Sequence, residues 1–373
     1  MSTSINTNKV LGSTSGTSIT KTGGSPVPPP TPPSNTVSPL ISGADYVGGT
    51  LFTTDGTWTG TPTITYSYQW RRNIVTNIGT NSNSYTLVQA DAGQLIDCVV
   101  TATNAIGSGG SSTNPYYIYD ADARNFIVIS GIINITQLQA INNLVIGLKL
   151  DNLWTKMLAV YPFVGGTATT CKYNLKNPLD TNGAFRLNFV GGWTFSSNGV
   201  TPNGTTAYAD TFLIPLTHFT SGNSSFSAYS RVNNLEAGVL LGTRASAFNT
   251  NLELLLRNSS NTTVWHNTSS GAITVSPNPP SSAINFISSR INSANNITAQ
   301  NGATNSQVSS EIAFSNYPIY ISAKNSIGVA ASFSTRNLAF AHIGTGLTQG
   351  ECTAFYNRIQ TFQTTLGRQV WYK

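Results

Sequence analysis

Residues 161–213, YPFVGGTATTCKYNLKNPLDTNGAFRLNFVGGWTFSSNGVTPNGTTAYADTFL, carry the pattern that decides the fold expected for this chain. Short apolar runs alternate here with turn residues, among them Gly165-Gly166, Gly191-Gly192 and Pro202-Asn203-Gly204. Such spacing is typical of tight turns between antiparallel strands. We therefore expect a β-sandwich to begin in this stretch and to extend to the C-terminus.

The sequence after this stretch continues the strand pattern. Asn301-Gly302 lies between two of the expected strands and is the strongest hairpin signal of the chain. Many short strands at intervals of about 8 to 12 residues predict a two-sheet sandwich of the jelly-roll type. The expected strands are 184–190, 206–214, 225–232, 238–242, 251–257, 262–266, 283–291, 296–300, 304–309, 317–323 and 337–343.

A single helix is expected to close this domain, which we place at residues 161–373. Thr348 and Glu351 have the spacing of a capping box, and Gly367 is a typical helix stop. Between them, one apolar stripe indicates a helix that packs by one face only. The stripe consists of Phe355, Ile359, Phe362 and Leu366.

Residues 120–160 read as a helical connector. An apolar stripe with Asn134 or Thr136 as cap predicts a first helix, and Asp151 or Asn152 could cap a second, shorter one. We interpret the pair as a collar that fixes the sandwich relative to the preceding domain. The stripes consist of Leu138, Ile141, Leu144, Val145 and Leu148 in the first helix, and Leu153, Trp154, Met157 and Leu158 in the second.

Residues 39–119 change to short strands with period-two alternation, as in Tyr66, Tyr68 and Trp70. Their segments PLISGADYVGGTL, GTWTGTPTITYSYQWRR and SYTLVQADAGQLIDCVVTATNAIGS resemble the immunoglobulin-like domains of bacteriophage virion proteins. The resemblance implies that Trp70 and Cys98 lie in a sandwich core. A partner cysteine is missing near Leu51, so Cys98 should be a small core residue.

Residues 1–38 are rich in serine, threonine and proline and read as an arm. The proline run favours an extended polyproline II strut. A disordered linker and a peptide that orders when it docks onto a larger assembly are both open alternatives. The prolines of this anchoring arm are Pro28, Pro29, Pro30, Pro32 and Pro33.

Composition excludes several classes of function. Charged residues make up only 9% of the 373 residues, and the net charge of +6 comes from 19 basic and 13 acidic residues without a basic cluster. A nucleic-acid surface would need such a cluster. The sequence also contains no run of 18 apolar residues, so we do not expect it to insert into a membrane. The three cysteines lie far apart and are odd in number, which predicts free thiols and a reducing compartment. The three histidines show no ligand spacing relative to them, so we expect neither a metal nor a cofactor.

An enzymatic role is not expected either. Glycoside hydrolysis uses two carboxylates about 5 to 10 Å apart, and no paired motif is seen in the C-terminal domain. Glu253 alternates with leucines and should point away from the core, in a surface ion pair with Arg257. The acids of this domain are Asp180, Asp210, Glu236, Glu253, Glu311 and Glu351.

A site that only binds sugar does not need two paired carboxylates. It needs an aromatic ring as platform, with amide, hydroxyl and carboxylate groups beside it. Trp193, Tyr208 and Trp265 are the candidate platforms, although an aromatic residue in a strand is more often part of the core. Too few acids lie close together to predict the calcium of legume-type lectins. The polar candidates are Asn198, Asn203, Asp210, Arg231 and Asn267.

Residues 154–213, which contain the opening stretch, and 339–370, AFAHIGTGLTQGECTAFYNRIQTFQTTLGRQV, resemble the C-terminal module of bacteriophage tail fibres and other virion proteins. That module is similar to concanavalin A-like lectin domains. The resemblance implies a mainly β fold and a non-enzymatic virion structural protein. Such a protein would be an outward-facing fibre or appendage that is anchored by its arm and adheres to host-surface glycans.

The resemblance also implies other virion proteins as partners and a homo-oligomer such as a trimer. The chain would be assembled in the host cytoplasm and displayed on the virion surface. Head and tail locations are equally open. A capsid-surface decoration protein with a mechanical or weakly adhesive role is one alternative, and a bacterial surface adhesin or glycan hydrolase is another.

Overall fold

The structure, a computed structural model, describes residues 27–220, 222–245, 252–258, 262–266, 273–277, 281, 283–292, 295–308 and 313–370. The chain is mainly β. It forms an immunoglobulin-like sandwich followed by a larger jelly-roll sandwich that carries helices on one side. Within the described residues, no helix has both the length and the hydrophobicity needed to cross a membrane.

The first sandwich has the strand order of an immunoglobulin-like fold. One sheet runs β10-β8-β5-β6, with β9 also on β8, and the facing sheet runs β2-β3-β7. Its strands are β1 (Ser34–Val37), β2 (Ile41–Gly43), β3 (Thr50–Thr53), β4 (Thr57–Thr59), β5 (Thr65–Arg72), β6 (Thr76–Ile78), β7 (Ser84–Thr86), β8 (Leu95–Thr103), β9 (Ser108–Ser112) and β10 (Tyr116–Tyr117).

The core of the first sandwich confirms the expectation for its tryptophan and cysteine. Trp70 on β5 lies opposite Cys98 on β8, and both side chains are fully buried together with Leu51. Burial raises the pKa of the Cys98 thiol to about 12, which keeps it protonated. The three cysteines of the chain are free and buried, as the odd count predicted.

The arm expected over residues 1–38 ends earlier than predicted. Strand β1 pairs with β4, so residues 34–37 belong to the first sandwich. Thr31 is also bound to it, because its N–H donates to Thr61 Oγ1 at 2.8 Å and Asn104 Nδ2 donates to its carbonyl at 2.8 Å. Pro33 is buried. The end of the proline run therefore packs on the domain, while residues 1–26 lie outside the described part.

The second unit starts at residue 121, well before the boundary expected at 161. Its helices and first strands are α1 (Ala121–Ser130), α2 (Ile135–Leu150), β11 (Met157–Tyr161), α3 (Ala168–Cys171), β12 (Asn188–Val190), β13 (Trp193–Ser196), β14 (Gly199–Pro202), β15 (Tyr208–Asp210), α4 (Pro215–His218) and β16 (Ser224–Ser230). The remaining elements are β17 (Leu241–Arg244), β18 (Leu252–Leu255), β19 (Thr262–His266), β20 (Ile273–Pro277), β21 (Asn285–Arg290), β22 (Asn295–Gln300), β23 (Ala303–Val308), β24 (Tyr320–Ile321), β25 (Lys324–Ser326), β26 (Val329–Ala331), β27 (Leu338–Gly344) and α5 (Gln349–Thr365).

Two sheets face each other in this unit. The back sheet runs β13-β14-β27-β16-β21-β22-β23, with β11 also on β27. The front sheet runs β12-β15-β24-β17-β18-β19-β20, and the β25-β26 hairpin extends it beside β17. Buried aliphatic and aromatic side chains of both sheets fill the space between them, among them Tyr161, Ala209, Phe226, Leu254 and Ile321.

Helices α1, α2 and α5 cover the outer face of the back sheet. Phe340 and Ile287 of that sheet share one apolar cluster with Phe126 of α1, Leu144 of α2 and Phe355 of α5. The predicted connector is therefore a layer of the second unit and not a separate collar. Residues 154–156 of the second short helix expected there form a 3₁₀ turn, whereas residues 157–161 form a strand paired with β27. An apolar run this short has no periodicity that separates strand from helix.

The local signals of the first long helix and of the C-terminal helix are confirmed. Asn134 caps α2 through its side chain, and Thr348 with Glu351 forms the capping box of α5. Asn301 and Gly302 form the turn of the β22-β23 hairpin with φ of 46° and 84°, as a two-residue hairpin turn requires. In the second unit, the strands that sequence reasoning missed are β11, β13, β14, β20, β25 and β26.

The two units meet at the start of α1. Arg124 Nε donates to Asp45 Oδ1 at 2.6 Å, which joins α1 to the first sandwich. The Tyr119 backbone is held on both sides, since its N–H donates to Asp45 O and its carbonyl accepts from Val47 N–H. This junction holds the first sandwich against the helical side of the second unit.

Candidate ligand-binding face

The outer face of the front sheet is the sheet surface that α1, α2 and α5 leave uncovered. At its β12-β15-β24 end, Asn188 lies opposite Asp210 and Val190 opposite Tyr208, with Tyr320 next to Asp210 on the third strand. The residues between them point into the core, as strand alternation requires. We call this surface the open face; it consists of Arg186, Asn188, Val190, Tyr208, Asp210, Phe212 and Tyr320.

Two tyrosines form the centre of the open face. The rings of Tyr208 and Tyr320 are stacked, with centroids 4.4 Å apart and an interplanar angle of 23°. Tyr320 is only 7% exposed, and burial, followed by the charge of Asp210, raises its pKa to about 12. Tyr208 is half-buried and lies on this fixed base. Its ring is thus held in one orientation at the surface.

Asp210 adds a carboxylate without a cationic partner in the part of the chain that the structure describes. Its Oδ1 accepts the Phe212 N–H at 2.8 Å, which is its only hydrogen bond within that part. Desolvation raises the pKa of Asp210 above its usual range, and the Phe212 bond offsets this only in part. The group is therefore a half-buried acceptor with one oxygen available.

A basic edge borders the open face at β12. The Arg186 guanidinium lies over the Phe212 ring, 5.6 Å from its centroid. Beyond it, Lys172 Nζ binds Asp180 Oδ2 at 2.6 Å, and Arg186 Nε lies 3.4 Å from Asp180 Oδ1. The hydrogen bond from Lys172 lowers the pKa of Asp180. A cavity of about 210 Å³ at this edge is lined by Ala168, Thr169, Lys172, Arg186, Leu187, Asn188 and Phe189.

Glu253 lies further along the front sheet, and its ion pair differs from the one expected with Arg257. It does point away from the core leucines, yet it is only 6% exposed and pairs with Lys324 at 3.0 Å. Arg257 instead donates to Asn233. The sequence could not show this, because Lys324 reaches Glu253 through its strand beside Gly242.

Trp193 does not lie on the open face. Its indole N–H donates to the Val190 carbonyl at 2.9 Å, and its ring packs against Phe189 and Phe195. These rings close the edge of the sandwich where Gly191-Gly192 carries the chain from the front to the back sheet. The residue expected as a sugar platform is thus a half-buried part of the core edge.

Two polar candidates are also engaged elsewhere. Asn203 Oδ1 accepts the N–H groups of Thr205, Thr206 and Ala207, so this side chain shapes its own loop. Arg231 Nε donates to the Arg368 carbonyl at 2.8 Å, on the helical side of the molecule. Asn198 is exposed at the turn between β13 and β14, away from Tyr208.

Some expected residues lie outside the described part. The backbone of Trp265 is described and pairs with Leu254, but its side chain lies outside the described part. Asn267 and Glu311 lie entirely outside the described part. Of the remaining acids, Glu236 is bound by the buried Arg336 at 2.7 Å and Glu351 by Lys156 at 2.6 Å. Within the described ranges, no three His, Cys, Asp or Glu side chains are grouped to hold a metal.

Of the predicted site residues, the structure brings together Tyr208 and Asp210. Sequence reasoning missed Tyr320, Asn188, Arg186 and Phe212. The spacing of Tyr208 and Asp210 on one strand was a usable signal, because residues two apart share a face. The partners come from two other strands, so only the sheet order reveals them.

Comparisons with known proteins gave a fold likeness and no family. No protein-family model and no curated protein matches the sequence. Among solved structures, domain 4 of AbnA, a GH43 extracellular arabinanase from Geobacillus stearothermophilus solved with arabinotriose, is similar at 13% identity and a TM-score of 0.39 over 54% of this chain and 98% of that domain.

Two further solved structures are similar at the same level. The botulinum neurotoxin serotype D binding domain is 10% identical with a TM-score of 0.36, over 55% of this chain and 52% of the toxin chain. A mutant of Trypanosoma rangeli sialidase with trans-sialidase activity is 10% identical with a TM-score of 0.37, over 84% of this chain and 49% of the sialidase. This chain thus spans about half the length of the toxin and sialidase chains.

Proposed function

We propose that this chain is a non-enzymatic glycan-binding protein of the bacteriophage surface, and that its ligand lies on the open face. The observation that carries the binding proposal is the stacked Tyr208–Tyr320 pair beside the carboxylate of Asp210, which has no cationic partner among the described residues. Sugar rings pack their apolar C–H face on an aromatic ring, and their hydroxyls donate to carboxylate and amide oxygens. Tyr208, Asp210 and the exposed Asn188 supply these groups side by side.

The geometry favours binding over hydrolysis. A glycosidase needs a second carboxylate at a suitable distance, and one of the pair must be available as an acid. On the open face as described, Asp210 is the only acid. The nearby Asp180 is held ionised by Lys172, which makes it a poor proton donor. We therefore propose a binding module without catalytic activity.

The virion setting is supported by the sequence resemblance of residues 39–119, 154–213 and 339–370. In this proposal the N-terminal residues attach the chain to other virion proteins, and the first sandwich spaces the second one outward. The chain forms a homo-oligomer such as a trimer. Mass spectrometry of purified virions tests this setting, and absence of the chain from them would refute it. Labelling by immuno-electron microscopy then distinguishes head from tail.

A glycan array tests the binding proposal. The wild-type protein should bind host-surface glycans, and Tyr208→Ala should lose that binding because the ring platform is removed. Tyr46→Ala is the matched control, since Tyr46 is 41% exposed on the first sandwich. Absence of binding by the wild type, or equal binding by Tyr208→Ala, would refute a glycan site on the open face.

A further inference from the structure

We infer that the glycan bound on the open face carries an acidic group, which Arg186 and Lys172 bind at the basic edge. This inference rests on the proposed function and adds the chemical class of the ligand. Two cations converge on a single acid there, because Lys172 and Arg186 both pair with Asp180. The three groups together leave one positive charge beside the cavity lined by both cations.

The position of Arg186 connects this charge to the open face. Its guanidinium lies over Phe212, two residues after Asp210, while Asn188 on the same strand lies opposite Asp210. A sugar ring packed on Tyr208 with hydroxyls at Asp210 and Asn188 would therefore extend toward Arg186. A substituent at that end of the ligand meets a cation.

Arg186 also has hydrogen-bonding capacity to spare. Its Nη2 donates to Asn182 Oδ1 at 3.1 Å, and its buried Nε has the 3.4 Å ion pair with Asp180 but no hydrogen bond to any described residue. A guanidinium binds a carboxylate or a phosphate through two parallel N–H donors, which gives both strength and orientation. An acidic sugar substituent supplies such an acceptor.

Asp180 acts as the internal counter-ion in this arrangement. Its side chain is 50% exposed, so a ligand anion can replace it at the two cations without unfolding a buried structure. Because Asp180 competes with the ligand anion, removing its charge should strengthen the binding of acidic glycans. A merely structural ion pair would give no such gain.

The experiment is a glycan array that carries uronate-, sialate- and phosphate-bearing glycans together with neutral ones. The wild type should bind acidic glycans. Arg186→Gln should weaken that binding by about tenfold, which is the affinity that a charge-assisted pair of hydrogen bonds contributes. Asp180→Asn should strengthen the same binding. Arg358→Gln is the matched control, because Arg358 pairs with Asp151 at 2.7 Å on the helical side.

The outcomes separate this inference from the proposed function. Binding of neutral glycans only, with loss in Tyr208→Ala but no change in Arg186→Gln, would overturn the acidic ligand and leave the open face as a glycan site. Unchanged binding of acidic glycans in both Arg186→Gln and Asp180→Asn would overturn it as well. Absence of any binding by the wild type would refute both proposals. For an acidic hit, enzymatic removal of phosphate or reduction of the carboxyl group identifies the acidic substituent.

Discussion

At the scale of one residue, Asp210 is where the proposed binding site has a cost in stability. The half-buried carboxylate has a raised pKa because desolvation penalises its charge, and no cation compensates for it in the described structure. Asparagine is of the same shape and keeps an oxygen for the Phe212 N–H. Nothing in the packing therefore requires an acid at this position.

We expect Asp210→Asn to be at least as stable as the wild type at pH 7, while its glycan binding is weakened. The folded protein protonates Asp210 at a higher pH than the unfolded chain does, so the wild type loses stability as pH rises through the raised pKa. The stability difference between the two proteins should thus disappear in acid. Thermal unfolding from pH 3 to pH 8 measures it.

Asp180→Asn is the control for this pH series, because the pKa of Asp180 is shifted in the opposite direction. The ion pair of Asp180 with Lys172 stabilises the folded protein at pH values above the usual pKa of an aspartate. This stabilisation is lost as pH falls through the lowered pKa of Asp180. A lower stability of Asp210→Asn at pH 7 would contradict the account of Asp210 as a desolvated group that is kept for binding.

His342 is a buried titratable group of the back sheet. Its ring lies between Ser225 and Ser227, and desolvation lowers its pKa to about 3. Ser225 already donates to the Thr345 carbonyl, so it accepts from Nε2–H and leaves Nδ1 to accept from Ser227. The histidine is therefore neutral in the folded protein.

We expect the protein to lose stability as pH falls from about 6.5, where the unfolded histidine is protonated, toward the folded value of about 3. His342→Gln should flatten this part of the curve, since glutamine does not take up a proton. Urea unfolding of the wild type and of His342→Gln at pH 7 and pH 4 measures it. An unchanged pH dependence in His342→Gln would refute a neutral buried histidine.

At the scale of elements, the C-terminal helix shows what local sequence determines and what it does not. The capping box, the apolar stripe and Gly367 are all local signals, and they place α5 correctly. The residue that ties the helix to the sandwich is Arg368, which is 1% exposed. Its guanidinium donates to the carbonyls of Pro162, Phe163 and Ala339. No sequence pattern distinguishes this arginine from a surface one, because its partners lie far away in the chain.

We expect Arg368→Gln to cost about 3 kcal/mol or more, since it leaves buried carbonyls without donors. Arg358→Gln is the matched control within α5 itself. Its partner Asp151 is partly exposed, and a pair of this kind contributes under about 1 kcal/mol. Chemical denaturation of both variants compares them. Equal losses would show that Arg368 is not the attachment point of α5.

Strands were harder to predict than helices, and for a physical reason. The hairpin at Asn301-Gly302 was found because its turn needs two positive φ angles, which that dipeptide tolerates. The strand at residues 157–161 was read as helix, because a strand that is buried along nearly its whole length is apolar on both faces and shows no alternation. The short strands β25 and β26 depend on pairing with β17 rather than on their own pattern.

At the scale of the whole molecule, the helices before the sandwich decide where the second domain begins. They bury the outer face of the back sheet, and β11 lies against β27 within it. A fragment of residues 120–373 should therefore unfold cooperatively, whereas residues 161–373 should lack a cooperative transition. Calorimetry of the two fragments tests this. Similar transitions in both would restore the boundary at residue 161.

The open face could be predicted only in part. Tyr208 and Asp210 were found because they are polar and aromatic residues two apart on a strand. Tyr320 follows more than a hundred residues later, and its place beside Asp210 depends on the strand order of the sheet. Trp193 lies away from this face for the same reason, since the turn that carries it to the back sheet places its ring at the core edge.

The most direct test of the glycan site is a hydroxyl-radical footprint of the protein with the strongest ligand from the array. Bound ligand should protect Tyr208 and Phe212 on the open face from oxidation. Reactivity at Trp193, at Tyr46 and at the exposed side chains of α1 and α2 should stay unchanged. Protection that is absent from Tyr208 and Phe212 but present at any of those other residues would contradict the account.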